Sequence, residues 1–312
     1  MKLVHSPEQM RHDRNTVVTV GTFDGVHRGH QAILSEVTQS AKARSGRSVV
    51  VTFDPHPREI VGRGPVEYLT TIEKRLELIG QQGIDETLVL KFTYEFSRQS
   101  SREFYERTVA KYIGVREAIV GYDHMFGRDR EAGVDDLEKI AADLGFAARR
   151  VDPVMVEGRV VSSSSIRELL RSGDIVAAND ALGYSYRLKG IVVHGDGRGA
   201  SLGFPTANLE PAFKKKLIPA LGVYFVGVQW EGQQLYGMMN IGVRPTFEVE
   251  RKKVIEAHIF DFSGDLYGKE LHVQFLRRIR AEMKFASVEG LKAQLQNDYK
   301  ECMKFVQEFY QS

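Results

Sequence analysis

One stretch constrains this chain more than any other: Val17–His30, VVTVGTFDGVHRGH. Val17 to Val20 read as a buried strand. Gly21 and Gly25 break it, and an apolar period then follows at Ile33, Leu34, Val37 and Ala41. The pattern is strand, glycine turn, helix. Such a junction aims free backbone N–H groups and the positive end of a helix dipole at one spot, which suits an anion and most simply a phosphate. His27 and His30 stand three apart around Gly29, where the new helix begins, and a glycine there allows close approach to the backbone. Most junctions of this kind are only turns, and a pair of histidines is more often solvated or hydrogen-bonded than catalytic. A metal reading of the pair lacks the accompanying Cys/His/Glu cluster.

The rest of the chain bounds what surrounds this turn. Its 312 residues are enough for two domains of ordinary size, and an apolar fraction of 42% is that of a globular protein. Lys and Arg nearly balance Asp and Glu, for a net charge of +2, so nucleic-acid binding by bulk charge is not expected. Cys302 is the single cysteine, which excludes an internal disulfide and fits a reducing, cytoplasmic setting. The N-terminal residues are polar and charged, unlike a signal peptide. No apolar run reaches about 18 residues, so no spanning helix and no membrane partner are expected.

In the first half, strands and helices alternate. Leu3–Val4 suggests a short edge strand, and Ser48–Phe53 a second buried one. Phe53-Asp54-Pro55-His56-Pro57 then forces an extended loop, because the prolines cannot pair. Thr70-Thr71-Ile72-Glu73 predicts a capping box and a helix through Leu78 and Ile79; Ser100-Ser101-Arg102-Glu103 predicts another, with Phe104, Val109 and Tyr112 on its helix. Glu86–Phe92, Ala118–Gly121 and Ala147–Val156 read as strands, and Val134–Leu144 as a helix. This alternation implies a mostly parallel sheet with helices on both faces, with ligands beyond the carboxyl ends of the strands. The loops at Gly21, Asp54 and Tyr122 can therefore converge. Ser162–Ser165 precede a helix containing Ile166, Leu169 and Leu170. Four serines followed by Arg167 exceed what a cap needs and suit a polyphosphate.

The pattern changes after the helix Ile175–Leu182 and Gly183. Arg187–Val193, Gly222–Trp230, Gln234–Ile241, Lys253–Asp261 and Leu271–Leu276 are closely spaced strands, with Glu231-Gly232 as a hairpin turn. They predict an antiparallel barrel or sandwich. A long helix from Ser287 ends the chain, its stripe of Val288, Leu291, Leu295, Tyr299, Cys302, Val306 and Phe309 packing on that barrel. The glycine-rich run 194–211, HGDGRGASLGFPTANLEP, is not a dinucleotide fingerprint, because LGFPTAN cannot open a helix.

These motifs carry a resemblance. His27-Arg28-Gly29-His30 resembles the HxGH signature of the nucleotidylyltransferase superfamily, and GTFDG its phosphate loop. Val161–Arg167 resembles that superfamily's ISSTxIR motif, with Val161 for Ile and Ser164 for Thr. GFPTAN, GVYFVGV, NIGVRPTF and IEAHIFDF resemble the riboflavin kinase domain. In this order, over residues 15–305, the chain resembles the bacterial bifunctional riboflavin kinase/FAD synthetase family. The resemblance implies an α/β, Rossmann-like nucleotidylyltransferase domain over 1–184. An antiparallel β-barrel kinase domain with a long C-terminal helix would follow over 185–312. It implies phosphorylation of riboflavin to FMN by ATP, then adenylyl transfer from ATP to FMN, giving FAD and pyrophosphate. Riboflavin, FMN and ATP are then the small-molecule partners.

By the same resemblance, His27 and His30 stabilise the leaving pyrophosphate, and Ser163, Ser164 and Arg167 hold the triphosphate. Gly21, Phe23 and Asp24 form the loop beneath it, and Asp123 stands near ATP. Phe53, Pro55 and Pro57 face the flavin. In the kinase half Glu256, a mid-strand carboxylate costly to bury without work or a partner, is the catalytic base. Thr206 and Asn208 hold Mg²⁺ and the phosphates, and the loop with Gly195 and Gly199 wraps ATP. One position departs: the arginine that commonly follows the glycine in GRxLGFPTAN is Ala200 here, with Arg198 two residues earlier. That departure motivates an alternative, an FAD synthetase whose barrel only binds flavin. A third reading, a non-catalytic flavin carrier, leaves the presence of both residue sets without a reason.

Overall fold

The first element of the opening stretch is the fully buried strand Thr16–Val20, as its run of β-branched residues predicts. The computed structural model describes residues 1–62, 64–125, 134–195, 199, 202–243 and 253–311. The chain divides into two compact units, Met1–Ser163 and Ser164–Ser312. The first is built on β1 (Lys2–Val4), β2 (Thr16–Val20), β3 (Arg47–Asp54), β4 (Glu86–Lys91), β5 (Glu117–Gly121) and β6 (Ala147–Val151). All are parallel, in the order β1-β4-β3-β2-β5-β6. The chain order reverses between β2 and β5, and at such a switch point the loops leave the strand ends in opposite directions and open a crevice.

Helix α1 (Arg28–Ala43) lies on β2, β3 and β5 and buries Leu34, Val37 and Ala41. Val18 and Val20 pack with Phe53, Phe104 and Leu137 in one apolar cluster. Three local expectations are corrected here. Pro57 does not extend the chain. It opens the one-turn helix α2 (Pro57–Ile60), whose N-cap is His56, because a proline lacks only an N–H that the first helical turn does not use. Helix α3 (Ile72–Gln81) is capped by Thr71 rather than Thr70, whose hydroxyl is engaged with Asp24. The strand predicted over 147–156 ends at Val151. Beyond it a small hairpin forms from β7 (Met155–Val156) and β8 (Arg159–Val160), turned by Glu157 and Gly158, both at positive φ. Ser100 and Glu103 do form the capping box. After the single turns α4 (Tyr94–Ser97) and α5 (Ser101–Phe104), however, the chain continues as a π-helix, Tyr105–Ile113. Helix α6 (Val134–Leu144) has the predicted bounds.

The second unit begins within α7 (Ser163–Ser172) and continues with α8 (Ile175–Leu182), the latter closed by Gly183 at φ 80°. Ser163, Ser164 and Ser165 are thus the first turn of α7 and do not precede it. Asn179 of α8 donates to the Phe275 carbonyl at 2.9 Å and accepts from the Tyr186 N–H at 2.7 Å, which ties α8 to the strands that follow. The strands are β9 (Arg187–Val193), β10 (Ala207–Pro211), β11 (Gly222–Trp230), β12 (Gln233–Val243), β13 (Lys253–Ile259) and β14 (Glu270–Arg280). They close an antiparallel barrel in the order β10-β13-β12-β11-β14-β9. β10 went unread in the sequence because its five residues include Asn208 and Pro211, which no strand pattern favours.

Tyr224, Met239 and Ala257 lie opposite one another and face inward, all nearly without exposure. The outer wall carries Val223, Phe225, Met238 and Phe260. Helix α9 (Val288–Gln311) covers it with Leu295, Tyr299, Cys302, Phe305 and Val306. Val288, expected in that stripe, is 61% exposed.

Candidate active sites

The Gly21–His30 loop is tightly wound. Phe23 and Val26 have φ of 51° and 37°, and Gly25 of 87°. A non-glycine residue in that region is strained and persists only where its surroundings hold it. Asp24 supplies the hold. Its fully buried carboxylate accepts the Leu69 N–H at 3.0 Å, the Thr70 N–H at 2.9 Å and the Thr70 hydroxyl at 3.1 Å. The Thr70 hydroxyl also accepts the Gly25 N–H at 3.0 Å, and the Ser163 hydroxyl donates to the Asp24 carbonyl at 2.8 Å. Asp24 thus shapes the loop with its side chain turned inward. Phe23 is buried too, and its ring lies on Gly21, where a Cβ would come within 3.1 Å of it.

His27 caps α1, its Nδ1 accepting the His30 N–H at 3.3 Å. The two imidazoles are stacked with centroids 3.6 Å apart, and Phe23 meets His30 edge-on at 5.0 Å. At Gly29 a Cβ would sit 3.2 Å from the His27 ring, so glycine serves the packing of the pair as well as access to the backbone. Burial, then His27, then the Arg75 guanidinium hold the His30 imidazole well below its ordinary pKa. His30 is therefore neutral at pH 7, able to donate one hydrogen bond and accept another. Its Nδ1 is buried with no hydrogen-bond partner among the described residues.

Arg75 carries no motif that marks it in the sequence. Its side chain has no exposure at all. It donates to the Phe53 carbonyl at 3.0 Å, while Nε and Nη2 have no hydrogen-bond partner among the described residues. Burial lowers its pKa, and Asp24 and Asp54 oppose that. Only its place inside a helix, beside Leu78 and Ile79 on the buried face, could have drawn attention to it.

The Phe53 ring is in the core against Phe92 and Phe96, while Asp54 is exposed and Pro55 and Pro57 are half-buried. The Asp54–Pro55 peptide is cis. Asp123 is exposed beyond β5, its Oδ1 3.3 Å from where a Cβ of Gly121 would stand. Phe126 and Gly127 of its motif lie outside the described residues. Ser164 and Arg167 belong to the second unit, where Arg167 is buried.

On the barrel, register assembles the second set. Asn208 lies directly opposite Glu256, and Glu256 directly opposite Asn240, across β10, β13 and β12. Opposite residues in antiparallel strands carry Cβ atoms about 4.5–5.5 Å apart on one face. That face is the outer one, since Ile255 and Ala257, which alternate with Glu256, point inward and are buried. Glu256 is half-buried. Asn240 is a residue the sequence reading missed. The visible signal was an amide between Met239 and Ile241 in an otherwise apolar strand.

Gly195 and Gly199 are required by contact. A Cβ on Gly195 would overlap the Asn208 amide at 1.9 Å, and one on Gly199 would lie 2.3 Å from the Phe204 carbonyl and 3.0 Å from the Thr206 hydroxyl. Gly195 and Gly199 therefore rest on the Phe204–Asn208 segment. Arg198, Ala200 and residues 244–247 of the NIGVRPTF motif lie outside the described residues. No group of three or more His, Cys, Asp or Glu able to hold a metal occurs among the described residues. The neutral oxygens of Thr206 and Asn208 fit a hard cation that brings its own phosphate ligands.

A strained loop ending in a stacked histidine pair, on a doubly wound sheet, defines a nucleotide-handling unit. A barrel with an amide–carboxylate row, and Gly195 packed against its Asn208, is a second site of different chemistry. The FAD synthetase family model matches residues 9–165, and the riboflavin kinase family model residues 182–306. The bifunctional riboflavin kinase/FMN adenylyltransferase of Listeria monocytogenes is 38% identical over 295 residues, 94% of this chain and 93% of that one. That of Pseudomonas fluorescens is 38% identical over 299 residues, 96% of each chain. A crystal structure from Streptococcus pneumoniae, described as a macrolide-efflux protein, matches with a TM-score of 0.86 at 30% identity, covering 96% of this chain and 97% of that one. The chain belongs to the bifunctional riboflavin kinase/FMN adenylyltransferase family.

Proposed function

We propose that this chain carries out both reactions, phosphorylating riboflavin with ATP to FMN and then transferring the adenylyl group of a second ATP to FMN. The observation that carries the reading is that the histidine pair and the amide–carboxylate row are each assembled, in different units. His27 and His30 stack in the first unit, and Asn208, Glu256 and Asn240 align in the second. The functional boundary lies near residue 184, a reading supported by the riboflavin kinase match beginning at 182.

In the kinase reaction Glu256 takes the proton from the ribityl hydroxyl as its oxygen bonds to the γ-phosphorus of ATP, and ADP leaves. Positioned bases of this kind contribute about 10²–10⁴-fold. Thr206 and Asn208 would hold Mg²⁺, which when bound spreads the charge of the phosphates. Gly195 and Gly199 leave room for ATP. In the adenylyl transfer, an oxygen of the FMN phosphate attacks the α-phosphorus and pyrophosphate leaves. That nucleophile is already an anion, so positioning and charge stabilisation are what remains to be supplied. His27 and His30 donate to the phosphates as charge moves to the leaving group. Gly21, Phe23 and Asp24 shape the loop beneath, and Ser163, Ser164 and Arg167 bind the triphosphate by the motif they form. Asp123 stands by the nucleotide, and Pro55 and Pro57 form the flavin side, with Phe53, expected there, in the core behind them. No helix among the described residues is long and apolar enough to cross a membrane. The single buried Cys302 and the need for ATP support a cytoplasmic setting.

The test is a product assay with riboflavin, ATP and Mg²⁺, the flavins being separated by chromatography over time. FMN is expected first and FAD after it. His30→Ala should lower FAD formation by about 10²–10³-fold and leave FMN formation intact. Glu256→Ala should abolish FMN formation and still convert supplied FMN to FAD. Loss of both activities in either folded variant would overturn the two-site reading.

A further inference from the structure

The β10–β13 ladder is short. It pairs Asn208 with Glu256 and Ala207 with Ala257, and there it stops. The next rung would set Thr206 opposite His258, but the residue before it is Pro205, which has no N–H to give a ladder. The segment that carries Thr206 therefore leaves the sheet just where it must be held still. His258 takes over at that point. Its Nδ1 lies 2.8 Å from the Pro205 carbonyl oxygen. A carbonyl only accepts, so Nδ1 carries the proton, and it does so in the neutral and the charged ring alike. His258 stands two residues from Glu256 on β13 and so shares its outward face.

The ring is itself held on both sides. Phe204 meets it edge-on with centroids 5.3 Å apart, and Phe260 at 5.8 Å. Phe260 in turn packs edge-on against Tyr299 of α9 at 5.0 Å. The Phe204 N–H donates to the Gly199 carbonyl at 2.9 Å, which ties the same segment to the glycine loop. We propose that His258 is a positioning residue for phosphoryl transfer: by bonding Pro205 it replaces the missing ladder rung and fixes Thr206 and Asn208 relative to Glu256. The proposal rests on the kinase reading of this barrel and adds a residue that touches neither substrate nor phosphate.

Two substitutions separate the bond from the packing. His258→Phe keeps a ring between Phe204 and Phe260 and removes the donor. His258→Asn loses the ring and keeps an amide nitrogen near the place of Nδ1. Both are assayed in the full chain for riboflavin phosphorylation, with kcat and the KM for ATP measured at saturating Mg²⁺. Conversion of supplied FMN to FAD serves as the internal control. H258F is expected to lower kcat/KM for ATP by about 10–100-fold, the scale of a misplacement near 1 Å, with the control within about 2-fold. H258N is expected to recover most of that loss. Wild-type kinetics in H258F would overturn the proposal. Equal loss in both variants, together with a lower unfolding temperature, would also overturn it by showing that only ring packing matters. If the unmodified chain forms no FMN, the kinase reading falls and the proposal with it; if it does and H258F matches it, the proposal alone falls.

Discussion

Arg75 is a guanidinium with no exposure to water, and such a charge is costly unless its surroundings compensate. Here Asp24 and Asp54 do so at a distance, and the Phe53 carbonyl accepts its Nη1 at 3.0 Å. The consequence reaches His30, whose pKa is lowered first by burial and further by His27 and Arg75. Arg75→Met would keep the volume and remove the charge. His30 should then titrate at higher pH than in the unmodified chain. It should stay below the ordinary value of 6.5, because burial, the largest cause, is untouched. Following the His30 ring signals by NMR across a pH series checks this. The same variant removes one hydrogen bond to the Phe53 carbonyl, a loss of about 0.5–1.5 kcal/mol, to be read from denaturant unfolding. An unchanged His30 titration would mean that Arg75 only fills space.

At the scale of elements, α9 is fastened to the barrel by one ion pair more than by its apolar stripe alone. Arg280, at the end of β14, donates Nε to Asp298 at 3.0 Å and Nη2 at 2.8 Å, and Asp298 is 2% exposed. Gln294 donates to the same carboxylate at 2.8 Å. Removing one partner of a buried pair costs about 3–5 kcal/mol, because the other charge stays behind unpaired. Asp298→Ala should destabilise the barrel by that amount in denaturant unfolding, whereas an effect under about 1 kcal/mol would show that the pair is solvent-screened in practice. The apolar period of α9 and the alternation of β9 could be read directly, since each repeats over two or more turns or pairs. The hairpin turn at Glu231-Gly232 was read, and the same dipeptide at Glu157-Gly158 was not, because the flanking strands there are only two residues long. Within the sites, the residues with a motif were legible. Asn240, His258 and Arg75 were not, because register, a missing ladder rung and complete burial are properties of the folded chain.

The two units differ in what acid does to them. In the first, burial pushes the His124 imidazole down to about 4, and His30 also lies well below its ordinary value. Above pH 6.5 neither ring is protonated in the folded or the unfolded chain, so neither penalises folding. Below 6.5 the unfolded chain takes up protons that the folded one refuses, so stability falls with falling pH. For His124 the fall runs from 6.5 to about 4 and amounts to about 3 kcal/mol at its lower end. His30 adds to it in the same direction. Glu117, held low by Ser40, Arg44 and Arg149, contributes stability above its ordinary value that is lost at still lower pH. In the second unit the lowered carboxylate among the described residues is Glu270, which is exposed and screened. Acid should therefore unfold the first unit before the barrel. Chemical denaturation at pH 7, 6, 5 and 4.5, with both activities assayed after brief incubation, should show FAD formation lost at a higher pH than riboflavin phosphorylation. His124→Gln, which cannot take up the proton, should flatten the acid limb of the first transition and leave the second where it was. Simultaneous loss of both activities, with one transition at every pH, would mean that the two units unfold as one and that the histidines of the first set the acid limit of the whole chain.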